Sequence, residues 1–185
     1  MYMGVLCEYI DDALRHITDG DYRSALLAIS AAVDRTAKNK YREKKPGKRI
    51  KRFVREYQTL IYMCWTVGSL YVHPKATVSF LNGKEIDNVF YKLLRNPAVH
   101  GDEFESIAFR EDRGIIAIED GRLHINRDLL IGFLLSVIVD KTNATERCAK
   151  QWMIKLDDKV VIDVNTAFGN IHYVQSLTGF FLDAS

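Results

Sequence analysis

VLCEYIDDALRHITDGDYRSALLAISAAV, residues 5–33, is the stretch that decides the fold class. Val5, Leu6, Tyr9, Ile10, Ala13, Leu14 and Ile17 recur at helical spacing, which predicts an amphipathic helix over 4–18. Asp19-Gly20 then gives a stop signal, because glycine enters the left-handed region that ends many helices. Asp21 can accept hydrogen bonds from the free amides of a following turn and so start a second helix. The apolar stripe of that helix is Tyr22, Ala25, Leu26, Ile29, Ala32 and Val33. A connection this short folds the two helices into an antiparallel hairpin. The expected fold is mainly α.

The pattern extends outward from the hairpin. The basic run after it is broken at Pro46-Gly47, which predicts a frayed end and loop over Lys38 to Lys45. A third helix is expected from about Arg49 to Tyr71, with Phe53, Tyr57, Leu60, Ile61, Cys64 and Trp65 inward and Pro74 closing it. Thr77 to Phe80 fits a short strand or an extended loop, and Asn82-Gly83 a turn. A fourth helix spans Glu85 to Leu94, with Ile86, Val89, Phe90, Leu93 and Leu94 inward. Partial alternation follows at Ile107/Phe109, Ile116/Ile118 and Leu123/Ile125, with turns at Asp112-Arg113-Gly114 and Asp120-Gly121. These features predict a small antiparallel β element over about 106–125. Asn126 or Asp128 caps a fifth helix through Leu129, Leu130, Phe133, Leu134, Val137 and Ile138. Beyond Lys150 a strand is expected at Val160 to Val164 and a last helix at Ala167 to Phe181. The whole reads as one domain over 1–185, with its core at about 5–139 and a C-terminal extension at about 150–185.

Composition narrows the class. The chain has 185 residues, 48% hydrophobic and 27% charged, the balance of a globular protein rather than a disordered or membrane one. At this length roughly two-thirds of the unfolded surface can be buried, so neither metal nor disulfide is needed for the fold. No secretory pattern is read at Met1-Tyr2-Met3-Gly4, and the apolar run Leu129 to Val139 is roughly half a bilayer span. Cys7, Cys64 and Cys148 form no CxxC pair and are expected as buried, reduced thiols in a cytoplasmic protein. Asn143-Ala144-Thr145 is read as a helix-end or turn cluster rather than a glycosylation site.

Charge is uneven. Lys38 to Arg55 holds ten basic residues against one acid, Glu43, a local charge of +9. The net charge of +2 therefore leaves −7 on the rest of the chain. A basic segment on an acidic body is an electrostatic footprint for a polyanion. Lys44, Lys45, Lys48, Arg49, Lys51 and Arg52 are the candidate RNA-binding residues. A solvated loop and helix face accounts for the same charge equally well.

Arg95-Asn96-Pro97-Ala98-Val99-His100 interrupts the apolar pattern. Proline lacks a donor N–H and crowds the carbonyl four residues earlier, here that of Leu93. Either the helix kinks, or a new turn starts with Asn96 as cap and Pro97 at its first position. On an unbroken helix the five-residue offset sets Arg95 and His100 about 140° apart around the axis. A composite site from two chains is therefore attractive. The chemistry suits RNA transesterification: a histidine can move the proton of a 2′-hydroxyl or of the leaving oxygen. A guanidinium can hold the phosphate.

At these residues the sequence resembles the HEPN superfamily, whose ribonucleases carry Arg, four to six residues, then His, with a polar residue after the Arg. Arg95, Asn96 and His100 fit that spacing, and Gly101 is frequent in bacterial members. The hairpin Ala13-Leu14, Gly20-Asp21-Tyr22, Ala25-Leu26 and Ala31-Ala32 looks like the family's opening, and Leu129 to Val139 like a later helix. The resemblance covers roughly Val5 to Val139. It implies an antiparallel helical bundle, a homodimer with facing motifs, and metal-independent RNA cleavage without a cofactor. Toxin or phage-defence roles are implied too, with an antitoxin or regulatory protein as partner. By the same resemblance His100 is the acid or base, Arg95 the phosphate-binding residue and Asn96 a supporting contact. Non-catalytic HEPN dimers that bind nucleic acid, nucleotides or proteins are the alternative. Pro97 and the β insertion depart from the minimal pattern.

Other constellations carry less. Asp11-Asp12 and Asp157-Asp158 are adjacent acids pointing in different directions, and His16, His73, His124 and His172 lack metal-ligand spacing. Leu81-Asn82-Gly83-Lys84 lacks the upstream glycine and following hydroxyl of a phosphate loop. Tyr41, Phe53 and Tyr57 lie among the basic residues, where they could stack bases; core positions suit Phe53 and Tyr57 better.

Overall fold

The structure is a computed structural model and describes residues 4–66, 86–99, 107–110, 117–119, 122–156 and 160–179. At 66, 86–88, 96–99 and 117–119 it describes the backbone alone. The expectations at Pro74, Thr77 to Phe80, Asn82-Gly83, the two β turns, His73, His100-Gly101 and Asp157-Asp158 lie outside the described residues.

The hairpin forms as its caps dictate. Helix α1 (Val5–Thr18) ends at Asp19, and Gly20 takes φ 75°, the left-handed conformation expected there. The Asp21 carboxylate then accepts from the Ser24 amide at 3.1 Å and opens α2 (Tyr22–Lys40). Helix α2 runs to Lys40, so Lys38 to Lys40 are helical rather than frayed. It is the hub of the molecule and packs against α1 and against the helices that follow.

The expected long third helix is two. Helix α3 (Pro46–Glu56) starts with Pro46 in its first turn, where the missing N–H leaves no bond unmade. Pro46-Gly47 is thus a helix start, not the break expected from sequence. Tyr57 ends α3, and α4 (Gln58–Thr66) begins at the next residue. The interruption lets α3 lie on α2 while α4 turns onto a later helix. Helix α5 (Ile86–Val99) passes through Pro97 without a new start. Because Pro97 lies in the last turn, its missing donor removes one terminal bond only.

Strands β1 (Ile107–Arg110), β2 (Ala117–Glu119) and β3 (Arg122–Asn126) form a sheet of order β1-β3-β2. The β2–β3 pair is antiparallel, as expected, with Ile118 opposite Leu123. Strand β1 instead pairs parallel with β3, Ile107 opposite Leu123, so the sheet is mixed. Turn residues specify that the chain reverses; they do not specify which edge the next strand joins.

Asn126, not Asp128, caps α6 (Arg127–Ile138), accepting from the Leu129 amide at 3.0 Å. Every residue from Asp128 to Asp140 is buried, so α6 is a central helix rather than a one-faced one. Gly132 makes this possible: a Cβ there would stand 2.9 Å from the Ile61 carbonyl oxygen of α4. Phe133 meets Phe90 of α5 edge-on at 5.0 Å. Asn143 ends the 3-10 turn after α6, donating to the Val137 carbonyl at 2.7 Å and to the Thr36 hydroxyl at 3.1 Å. A buried cap is the role this residue fills, in line with the helix-end expectation.

The C-terminal part adds the antiparallel pair β4 (Met153–Lys155) and β5 (Val161–Asp163), then α7 (Val164–Ala167) and α8 (Ile171–Thr178). The last helix therefore starts later than Ala167, at the Asn170 cap. Trp152 ties this part to α1 by donating its indole N–H to Asp11 at 2.7 Å. The apolar core runs from Leu6 to Val174 and takes in Cys7, Cys64 and Cys148, all free thiols. No helix among the described residues is long and apolar enough to cross a membrane.

Candidate nucleic-acid interface

The structure divides the basic run in two. One part is neutralised inside the fold. Lys40 Nζ donates to Asp140 Oδ2 at 2.7 Å and also pairs with Glu56. Tyr57 Oη donates to the same Asp140 oxygen at 2.9 Å, and Tyr41 Oη donates to Glu56. Thr142 supplies its amide at 2.8 Å and its hydroxyl at 2.7 Å to the other Asp140 oxygen. Burial alone would raise the carboxyl pKa of Asp140, but the bonds from Lys40 and Thr142 outweigh it and hold it below the usual carboxylate value. Burial first, then the Asp140 charge, pushes the Tyr57 phenol up. Arg52 is held outside this cluster by Glu43 at 2.7 Å and lies over the Tyr41 ring.

The other part lines a groove of about 700 Å³ between α2, the start of α3 and α5. Lys45, Lys48 and Lys51 come from the α3 side, and Arg95 and Tyr91 from α5. Leu27, Ala31, Ile50 and Leu94 give it an apolar lining, with Ser30 and Asp34 from α2. Asp34 is the one acid among the lining residues, and Arg49 meets its carboxylate at 2.8 Å. Asp34 is balanced from behind, and the described lining brings three lysines and Arg95 together on one concave face. Such a concave site concentrates anions more strongly than a flat basic face.

The described candidate residues each have a place. Lys45, Lys48 and Lys51 reach the groove together with Arg95. Lys44 and Arg52 are exposed but do not line it, and Arg49 is 8% exposed and committed to Asp34. Asn96 follows Arg95 in the last turn of α5, and its side chain lies outside the described residues, as does His100. Phe53, Tyr57 and Tyr41 are buried and do not offer faces to bases. His16, His124 and His172 are engaged near Asp21, Arg110 and Gln175. No cluster of metal-ligating side chains occurs among the described residues.

Two groove residues were not singled out in the sequence. Tyr91 accepts a hydrogen bond from Arg95 Nη1 at 2.7 Å, with the guanidinium carbon 5.6 Å from its ring centre. Lys51 Nζ lies 5.3 Å from the same ring. Gly47 abuts the phenol, since a Cβ there would stand 2.6 Å from Tyr91 Oη. The four-residue spacing of Tyr91 and Arg95 was the available signal for the first contact. Nothing local to Gly47 announced the second.

The Rv1289 family profile matches residues 6–181. This chain belongs to the Rv1289 family. The match runs unbroken from α1 past α8, so the family takes in the groove, the mixed sheet and the C-terminal part alike. Neither a curated protein nor a solved structure matches the chain.

Proposed function

We propose that this protein is a metal-independent endoribonuclease of the HEPN type, acting as a homodimer. The observation that carries the reading is the convergence of Arg95 with Lys45, Lys48 and Lys51 on one groove. The motif arginine and the basic segment, far apart in sequence, would then grip the same RNA backbone. Arg95 holds the scissile phosphate and stabilises charge on its oxygens as the bond breaks. His100 accepts the 2′-hydroxyl proton or delivers one to the departing 5′ oxygen, and Asn96 supports either partner. The 2′ oxygen attacks phosphorus, the bond to the 5′ oxygen breaks, and a cyclic phosphate results. DNA lacks the nucleophile. The about 140° offset between Arg95 and His100 favours a site completed by the second protomer. A toxin or phage-defence role, with an antitoxin or regulatory partner in the cytoplasm, follows from the same resemblance.

A non-catalytic binding module is the second reading, favoured by one observation. The described lining, Lys45, Lys48, Lys51 and Arg95, by itself supplies the cationic groups that hold an anion. Incubating labelled RNA with the protein in EDTA separates the two. The first reading expects cleavage by wild type, none by His100→Ala, and restored cleavage when Arg95→Ala and His100→Ala protomers are mixed. Cleavage that survives His100→Ala would overturn the assignment. Binding without cleavage by wild type selects the module.

A further inference from the structure

Arg95 is exposed at the end of a helix, where a free arginine samples many rotamers and loses that freedom when it grips a ligand. Three contacts oppose this freedom, and they meet on one side chain. Tyr91 Oη accepts from Arg95 Nη1 at 2.7 Å, and the guanidinium carbon lies 5.6 Å from the ring centre. Lys51, from α3, brings its ammonium to 5.3 Å from that ring centre. Gly47, also on α3, closes the far side: an added Cβ would stand 2.6 Å from Tyr91 Oη and 2.9 Å from Cζ. Gly47 does not occupy the positive-φ region, so an alanine there meets the phenol, which must shift, and not a backbone restriction.

We infer that Tyr91 is the positioning residue of the groove, locating the Arg95 guanidinium for an oxyanion. The chemistry is that of a phenol. Its oxygen takes one proton from Arg95, which leaves its own O–H to donate elsewhere, and arginine retains four further N–H donors. The ring gives the two cations an attractive face without adding a negative charge of its own. Glycine at position 47 lets α3 approach closely enough for Lys51 to share that face. The inference rests on the reading of Arg95 as a phosphate ligand.

The test combines an RNA-binding measurement with the nitrogen-15 resonances of the arginine side chains, both on the full chain. Wild type is expected to show a resolved Arg95 guanidinium signal that collapses to the averaged exposed position in Tyr91→Phe. RNA affinity should fall about tenfold in Tyr91→Phe, the size of one charge-assisted hydrogen bond. Gly47→Ala, which displaces the phenol without removing it, should do the same. Tyr91→Phe combined with Arg95→Ala should lose little more than Arg95→Ala alone, because the phenol acts through the guanidinium. Losses that simply add, or an Arg95 signal unchanged by Tyr91→Phe, would overturn the inference. If wild type binds no RNA, the functional reading fails, and the Arg95 signal in Tyr91→Phe still decides whether Tyr91 positions it.

Discussion

Lys40 and Lys48 come from one basic run, are eight positions apart, and are the same residue type, yet they sit in opposite environments. Lys40 is surrounded by Asp140, Glu56 and Tyr57, with its side chain 20% exposed and Asp140 not exposed at all. Lys48 is exposed on the wall of a groove whose described lining includes one acid, Asp34, already matched by Arg49. The difference teaches that positive charge in a sequence has no role until its carboxylates are located. Asp140 lies 100 positions from Lys40, and no local pattern connects them.

Three variants test the comparison, from the largest effect to the smallest. Asp140→Ala removes the fully buried carboxylate of the cluster and leaves Lys40 with Glu56 and the Tyr57 hydroxyl. Because Glu56 still faces Lys40, the cost should be about 3 kcal/mol, the low end for breaking a buried pair, which urea unfolding would register as a lower midpoint with unchanged slope. The effect carries a pH signature. The Asp140 pKa is lowered from 3.8 in the folded chain, so its stabilisation is complete above that value. It is lost as pH falls through the lowered folded value, and the gap between wild type and variant should close over that acid range. A gap that stayed constant into acid would mean that the Asp140 charge is not what holds α2 to the end of α6.

The groove should behave in the opposite way. Replacing Lys45, Lys48 and Lys51 together by alanine should leave the unfolding midpoint nearly unchanged. RNA affinity should fall by about 10- to 100-fold near physiological salt, and the salt slope for single-stranded RNA should drop by about 2. An unchanged slope would detach the groove from RNA. Arg52→Ala is the finest test. Arg52 belongs to the same run but is 62% exposed by side chain, paired with Glu43, and absent from the groove lining. Filter binding should find it within about twofold of wild type, as for an exposed ion pair away from the contact surface. A loss equal to that of Lys48→Ala would move the contact surface off the groove.

What was legible in the sequence was local in its physics. The Gly20-Asp21 junction specifies both a left-handed stop and a carboxylate cap within three residues, and the hairpin forms accordingly. The apolar face of α5 was legible for the same reason, and the cap of α6 was legible down to a choice between Asn126 and Asp128. The break at Tyr57 was not. It coincides with a phenol bond to Asp140, just past the end of α6, and the periodicity of 49–66 is compatible with one continuous helix. The site was half legible: Arg95 and the lysines are conspicuous by type, whereas Tyr91 and Gly47 matter because α3 and α5 touch.

The basic run closes the account. By itself the sequence determined that +9 charges would be concentrated after the second helix and that the first two helices would pair, because charge and hydrogen-bond caps are properties of near neighbours. Tertiary structure alone decided that Lys40, Arg49 and Arg52 would be neutralised, and that Lys45, Lys48 and Lys51 would stand beside Arg95. The reason is range. A carboxylate balances a cation only within a few ångströms, and that separation is set by how helices pack.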